Sequence, residues 1–243
     1  MFVFFWILLA IIAFLYASVG HGGASGYIAL MMLFGVADTS IRPTALLLNI
    51  GVSGLSFAQF WQSGHFRWRI FLIFALASVP AAYIGGLIQL DDFWYKRILA
   101  VLLLFPVLKM WGVFDNRQTE GANKPVFIPL ALLIGAAIGL LSGMIGIGGG
   151  IILSPVLLLL GWANMKESAA ISALFIFVNS GAGMFGLYQK GLTISNEMIF
   201  MLVFALVGGS IGAYWGAKII DSARLKKVLA VVLLIAVIKL ASG

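Results

Sequence analysis

The sequence predicts an all-α polytopic membrane protein made of two inverted repeats, each a glycine-broken helical hairpin followed by three transmembrane helices. Three observations lead there. Of 243 residues, 63% are apolar and only 9% charged, with a mean hydropathy of +1.13. A soluble domain carries about 25% charged residues, so this chain could not cover a water-facing surface. The uncharged runs are long: residues 1–37, 43–64, 70–90, 126–165, 168–189 and 198–217 hold no Asp, Glu, Lys or Arg. A spanning helix needs roughly 20 predominantly apolar residues. Finally, glycine-rich and polar landmarks recur in the same order in both halves. The runs are continuously apolar, which excludes the alternating strands of a membrane barrel and leaves helices as the spanning element.

The repeat is legible residue by residue. Gly20-His21-Gly22-Gly23-Ala24-Ser25 matches Gly146-Ile147-Gly148-Gly149-Gly150-Ile151, and Asn49-Ile50-Gly51 matches Asn179-Ser180-Gly181. Gly86–Leu104 aligns with Gly216–Leu234, sharing Gly86/Gly216, Asp91/Asp221, Lys96/Lys226 and a run of Leu, Ala and Val. The first repeat is expected over 1–111, with a glycine-interrupted segment at 2–36 and spans at 43–63, 70–90 and 94–111. A polar cytoplasmic linker, 112–125, carries DNRQTEGANK. The second repeat, 126–243, has its interrupted segment at 127–161 and spans at 168–188, 197–219 and 225–241. Lys96/Arg97 and Lys226/Lys227 open the fourth span of each unit, where long cationic side chains can snorkel to the interface.

Each interrupted segment could be one broken span or a hairpin that dips in and returns to the same side. With broken spans the basic residues divide almost evenly between the faces. With hairpins, Arg42, Lys96, Arg97, Lys190 and Lys239 fall on one face and the other ten of the 15 Lys and Arg on the opposite one. Cytoplasmic loops carry the excess of Lys and Arg, so the hairpin is favoured, with both termini outside and the protein in the inner membrane. A hairpin plus three spans ends on the side opposite its start, so the second unit runs inverted. That is a recurrent transporter plan.

The glycine breaks are the candidate site. Three glycines in four residues will not hold a regular helix, and the helices resuming after Gly23 and Gly149 would point their N-termini into the protein. Such ends offer unpaired N–H groups and partial positive charge, and glycines let an anion approach them closely. The candidate binding residues are Gly20, His21, Gly22, Gly23, Ala24, Ser25 and Asn49 in the first unit, with Gly146, Gly148, Gly149, Gly150 and Asn179 in the second. An asparagine amide can donate to an oxyanion. His21 is the one mid-segment group of a type that titrates near neutral pH; it could sense a proton, donate to the anion, or simply bind a carbonyl. Gly208/Gly212/Gly216 and Gly135/Gly139/Gly143 are spaced by four and read as helix-packing glycines. Pro155 is expected close to the first turn of its helix, where proline is tolerated. His65, beside Arg67 and Arg69, reads as a cytoplasmic loop residue.

Other classes fit poorly. There is no cysteine, hence no disulfide or thiolate site. All eight carboxylates fall in loops or at span ends, so no mid-span carboxylate relay is expected. The basic residues, net +7, are scattered and not clustered as for nucleic acid. No enzyme constellation, metal set or cofactor is expected, and the apolar start is not read as a removable signal. The partners expected are the lipid bilayer, a small anion and a coupling proton or sodium ion; a homo-oligomer is left open. A passive anion channel of the same architecture is the main alternative, and a metal or cation transporter a weaker one.

The segment Met144-Ile145-Gly146-Ile147-Gly148-Gly149-Gly150-Ile151-Ile152-Leu153-Ser154-Pro155 resembles the signature of the TauE/SafE family of sulfite and sulfonate exporters. In that family a G-x-G-G-G stretch runs into an apolar helix carrying a proline, once in each half. Lys166–Ser172 resembles the hydroxyl- and small-residue stretch that opens the family's next helix. Unit one departs from the pattern, with His21, Ala24 and Ser25 in the break and Ala29 where unit two has Pro155. The resemblance implies ion-coupled transport of sulfur-containing or organic anions, often out of the cytoplasm. The function expected is secondary transport of sulfite, a sulfonate or a related organosulfur anion, with access alternating as one bundle rocks about the breaks.

Overall fold

The computed structural model describes residues 2–88, 91, 97 and 124–219. The expected fourth spans at 94–111 and 225–241 and the linker 112–125 lie outside the described residues, apart from Arg97, Lys124 and Pro125. The described chain is helical: α1 (Phe2–Ser18), α2 (Ala24–Leu33), α3 (Asp38–Gln62), α4 (Trp68–Leu87), α5 (Ile128–Ile145), α6 (Gly150–Leu159), α7 (Met165–Tyr188) and α8 (Asn196–Lys218). Among the described residues, five helices, α3, α4, α5, α7 and α8, are long and apolar enough to cross a membrane.

Both interrupted segments are hairpins. α1 ends in a C-terminal motif in which left-handed Gly20 (φ +76°) lets the His21 N–H reach the Tyr16 carbonyl at 2.9 Å and the Gly20 N–H reach Ala17 at 3.0 Å. The chain then turns back: the ring of Phe5, near the start of α1, lies 5.3 Å from that of Phe34, just past the end of α2. Tyr16 and Ser25 hydroxyls meet at 2.6 Å near the tip. In the second unit the Lys124 N–H, ahead of α5, donates to the Gly161 carbonyl, past α6, at 3.0 Å. At ten residues, α2 and α6 are each about 15 Å long, half the hydrocarbon thickness of about 30 Å.

The two glycine stripes read from the sequence do pack helices. A Cβ added to Gly135 would meet the Phe74 carbonyl at 2.8 Å, and those of Gly139 and Gly143 would run into Ser78 and Ala82, so α5 lies parallel to α4 with backbones in contact. Gly208, Gly212 and Gly216 of α8 face Ala10, Phe14 and Ser18 of α1 in the same way. Without a hydrophobic force between helices in lipid, such close approach supplies the dispersion contact that holds them. Other packed pairs are α3 with α7, α4 with α7, α3 with α8, α2 with α3 and α6 with α7. Exchanging the first four helices for the last four leaves these pairings unchanged, although α1 and α2 touch more closely than their counterparts α5 and α6. The outer face is apolar: Phe4, Leu76 and Leu133 are 62%, 75% and 69% exposed.

Two boundaries and the place of one proline differ from the sequence reading. α3 begins at Asp38, five residues before the expected span, and takes Pro43 into its interior. Arg42, read as a loop charge, is therefore buried in α3. Its guanidinium donates to the carbonyls of Gly143 (2.7 and 3.0 Å), Gly85 (2.8 Å), Gly86 (3.0 Å) and Ile88 (2.8 Å). The C-terminal carbonyls of α4 are a favourable place for a cation, and Arg42 bolts α3, α4 and α5 together there. α7 starts at Met165 because Asn164 and Glu167 form a reciprocal capping box, both bonds 2.9 Å. Pro155 is the sixth residue of α6, not a first-turn residue.

Candidate functional site

Residues 20–23 and 146–149 interrupt the two hairpins, and the fold brings the interruptions together on α3 and α7. A Cβ on Gly22 would strike the Asn49 amide and lie 2.9 Å from Ile176. One on Gly148 would lie 2.5 Å from Asn49 Nδ2, 2.7 Å from Ile176 and 3.0 Å from Ser180 Oγ. Asn49 and Ile176 thus touch both breaks, and only a hydrogen in place of a side chain fits between them. Gly23, Gly146, Gly148 and Gly149 all have φ between +74° and +100°. An L side chain there would cost about 1–2 kcal/mol from local sterics alone.

The matched asparagines, both fully buried, are not equivalent. Asn49 Oδ1 accepts from the Ala24 N–H at 3.1 Å, and its Nδ2 donates to Ser180 Oγ at 3.3 Å. It caps the start of α2 from the side while holding α7. Asn179 instead donates to the Phe175 carbonyl of its own helix at 2.8 Å. Its Oδ1 is buried with no hydrogen-bond partner among the described residues, as is Ser142 Oγ near Gly149. Neither α2 nor α6 receives a side-chain cap from its own N-cap residue, Gly23 or Gly149.

His21 faces the second unit. Its Nδ1 lies 2.8 Å from the Val19 carbonyl and its Nε2 3.2 Å from Ser154 Oγ, which meets Ser172 Oγ at 2.8 Å. Ser168 Oγ donates to the Ser154 carbonyl at 3.2 Å. Ser25 is committed to Tyr16. The fold therefore brings Gly22, Ala24, Asn49, Gly148 and Gly150 together around Ile176, whereas Gly20 lies against Ala169, Gly23 against Tyr27 and Gly146 against Arg42. It leaves Asn179 apart from the hydrogen bonds that link the two breaks.

Sequence reasoning passed over three participants. Ile176 offers no signal, being one apolar residue among many. Ser154 lies five residues past Gly149 and looks like an ordinary small residue. Arg42 approaches the second break from the other side, its carbonyl 3.1 Å from a Cβ on Gly146. It could have been suspected from its place at the head of an uncharged run, since a buried arginine in a membrane protein is costly and seldom idle.

A family model described as sulfite exporter TauE/SafE matches residues 5–240. The chain is 36% identical over 232 residues to the probable membrane transporter protein y4hK of Sinorhizobium fredii, covering 95% of this chain and 94% of that one. It is 26% identical over 213 residues to the probable membrane transporter protein YdhB of Bacillus subtilis, covering 82% of each. A 102-residue stretch, 40% of this chain and 21% of the relative, is 35% identical to sulfite exporter TauE/SafE family protein 2 of Arabidopsis thaliana. No solved structure matches. With an apolar multi-helix body, two glycine-broken hairpins in contact and a family match over nearly the whole length, the chain belongs to the sulfite exporter TauE/SafE family of membrane transporters.

Proposed function

We propose that the chain is a secondary transporter that moves a small anion, such as sulfite, a sulfonate or a related organosulfur anion, across the inner membrane. In this reading the anion binds where the two glycine breaks converge. The observation that carries it is that convergence: Gly22 and Gly148, from different hairpins, both close on Asn49 and Ile176. Two inward helix starts with glycine N-caps present backbone donors and partial positive charge to one small volume. The glycines put no side chain over these donors, so a compact, multiply accepting ligand can meet them once the close-packed breaks part. The names of relatives in the family point to the same class of cargo.

An inverted repeat, 1–111 against 126–243, is part of the proposal. α3 runs antiparallel to α7, with Leu46, Asn49 and Gly54 beside Gly183, Ser180 and Phe177. Each hairpin returns to the side it left, so α1 runs with α3 and α5 with α7; α1 and α5 are then opposed. The charge bias supports termini outside, and more strongly once Arg42 is removed from the outer count, since it is buried.

The test is thermal stability of the detergent-purified protein against sulfite, sulfate, thiosulfate, taurine, sulfoacetate and chloride. A ligand bound only by the native state raises Tm by mass action. A sulfur oxyanion should raise it, and Gly22→Ala or Gly148→Ala should abolish the rise. A response to divalent metal or organic cations, with none to any anion, would overturn the reading. Accumulation of the responding anion in vesicles under an imposed proton or sodium gradient separates a coupled carrier from a passive channel.

A further inference from the structure

We propose that His21 is a proton-binding site whose Nε2 is served by a two-serine chain, Ser154 and Ser172, that reverses its direction when the imidazole takes up a proton. The coupling of this site to anion movement rests on the reading above; the proton site itself does not.

The tautomer follows from geometry. The Val19 carbonyl can only accept, and it lies 2.8 Å from His21 Nδ1, so Nδ1 carries the hydrogen. In the neutral ring, Nε2 then presents a lone pair toward Ser154 Oγ at 3.2 Å, and Ser154 donates to it. With its single hydrogen so used, Ser154 accepts from Ser172 at 2.8 Å. The chain has one direction, from Ser172 to Ser154 to His21. Ser154 and Ser172 are buried while His21 is partly exposed.

Protonation forms an N–H bond at Nε2, the proton coming from hydronium, which leaves as water. Nε2 now donates to Ser154 Oγ. The Ser154 hydrogen must rotate to Ser172 Oγ, and the Ser172 hydrogen turns to the carbonyl of Ser168 one helical turn back, a bond open to serine in a helix. The reversal spans three elements: the first break, α6 and α7. The first of these belongs to one repeat and the other two to the second, so a proton on His21 changes how the halves hold each other. The second break has no such group, since Ile147 and Ile28 stand at the positions matching His21 and Ser154.

Among the described residues, the other titratable groups on the surrounding elements are engaged elsewhere or buried. On α1, the Tyr16 hydroxyl is bonded to Ser25. On α2, the Tyr27 hydroxyl is buried against the α-carbon side of Gly23. On α3, Arg42 bonds carbonyls at the second break. At the head of α7, Glu167 pairs with Arg67 at 3.6 Å, next to Lys166. On α8, which packs on the end of α1, Lys218 lies over the Tyr214 ring.

The chain has two histidines, so a His65→Gln background isolates His21 for nitrogen-15 histidine NMR in lipid bilayers. The expected result is an Nδ1–H tautomer in alkali that converts to imidazolium on acidification. Ser154→Ala and Ser172→Ala should each move the midpoint by about half a unit or more, because each removes a bond that differs between the two protonation states. Methanesulfonate, which does not titrate in this range, should raise the midpoint if proton and anion binding are linked. A ring that stays neutral throughout, an Nε2–H tautomer, or a midpoint indifferent to both serine variants overturns the proposal and leaves the anion reading to the thermal panel. A serine-dependent titration that methanesulfonate leaves unmoved upholds the proton site and counts against its coupling to anion movement, while the thermal panel decides the anion reading by itself.

Discussion

At the scale of single residues, two asparagines that look interchangeable in the sequence hold different positions. Asn49 satisfies the Ala24 N–H and the Ser180 hydroxyl across three helices, whereas Asn179 makes one bond within its own helix. Asn49→Ala leaves a buried backbone donor unpaired and is expected to cost about 1–3 kcal/mol. Asn179→Ala removes an orphaned buried oxygen along with a local bond, and should fall within about 0.5 kcal/mol of the parent. Chemical denaturation of both variants in matched detergent checks the contrast; equal losses would mean that Asn179 has a partner of comparable worth. The matched pair was visible in the sequence as a repeat, but its inequivalence was not. Which oxygen finds which N–H depends on the approach of α2 to α3, a contact between residues 25 apart.

At the scale of helices, backbone-to-backbone packing and one buried cation decide how the bundle closes. Gly139 lies against the Ser78 carbonyl with no room for a methyl group, while Gly181, in α7, has nothing within 4 Å of a Cβ. Gly139→Ala should destabilise by about 1–3 kcal/mol through overpacking. Gly181→Ala should stabilise by up to about 1 kcal/mol through helix propensity. Thermal melts of the two single variants read the opposite signs. Arg42→Met keeps an unbranched apolar stem but leaves the Gly86 and Gly143 carbonyls without the guanidinium donors. A loss of at least about 2 kcal/mol is expected from uncompensated buried acceptors, together with looser α4–α5 packing visible as faster hydrogen exchange at the end of α4. The glycine stripes were legible because a spacing of four puts them on one helix face. Arg42 was misread because the uncharged run after it set the expected span, and an uncharged window says nothing of how far a helix extends beyond it.

At the scale of the whole molecule, sidedness is testable with little disturbance, since the chain contains no cysteine. The turn between α3 and α4 carries a cluster of Phe57, Trp61, Phe66 and Trp68, with ring centroids about 5–6 Å apart, beside Arg67. Aromatic rings of this kind gather at membrane–water interfaces. His65→Cys in this turn should react with a membrane-impermeant maleimide only in inside-out vesicles. Thr193→Cys, between α7 and α8, should react only in right-side-out vesicles or whole cells. The reverse pattern would invert the topology, and labelling of both sites from one side would mean an even number of crossings between them, as when the second interrupted segment spans the membrane.

Composition, uncharged run length and the repeated landmarks were enough to establish a helical membrane protein and to locate both glycine breaks, because lipid permits few structures and adjacent glycines break any of them. The charge count also favoured hairpins, through a bias that acts on loops and needs no packing. The meeting of the two breaks on Asn49 and Ile176, the capture of the α2 start by one asparagine, the burial of Arg42 and the path from His21 to Ser172 could come only from the folded chain. Each is a contact between residues distant in sequence, and its geometry is set by helix packing at distances of a few ångströms, which no pattern along the chain encodes.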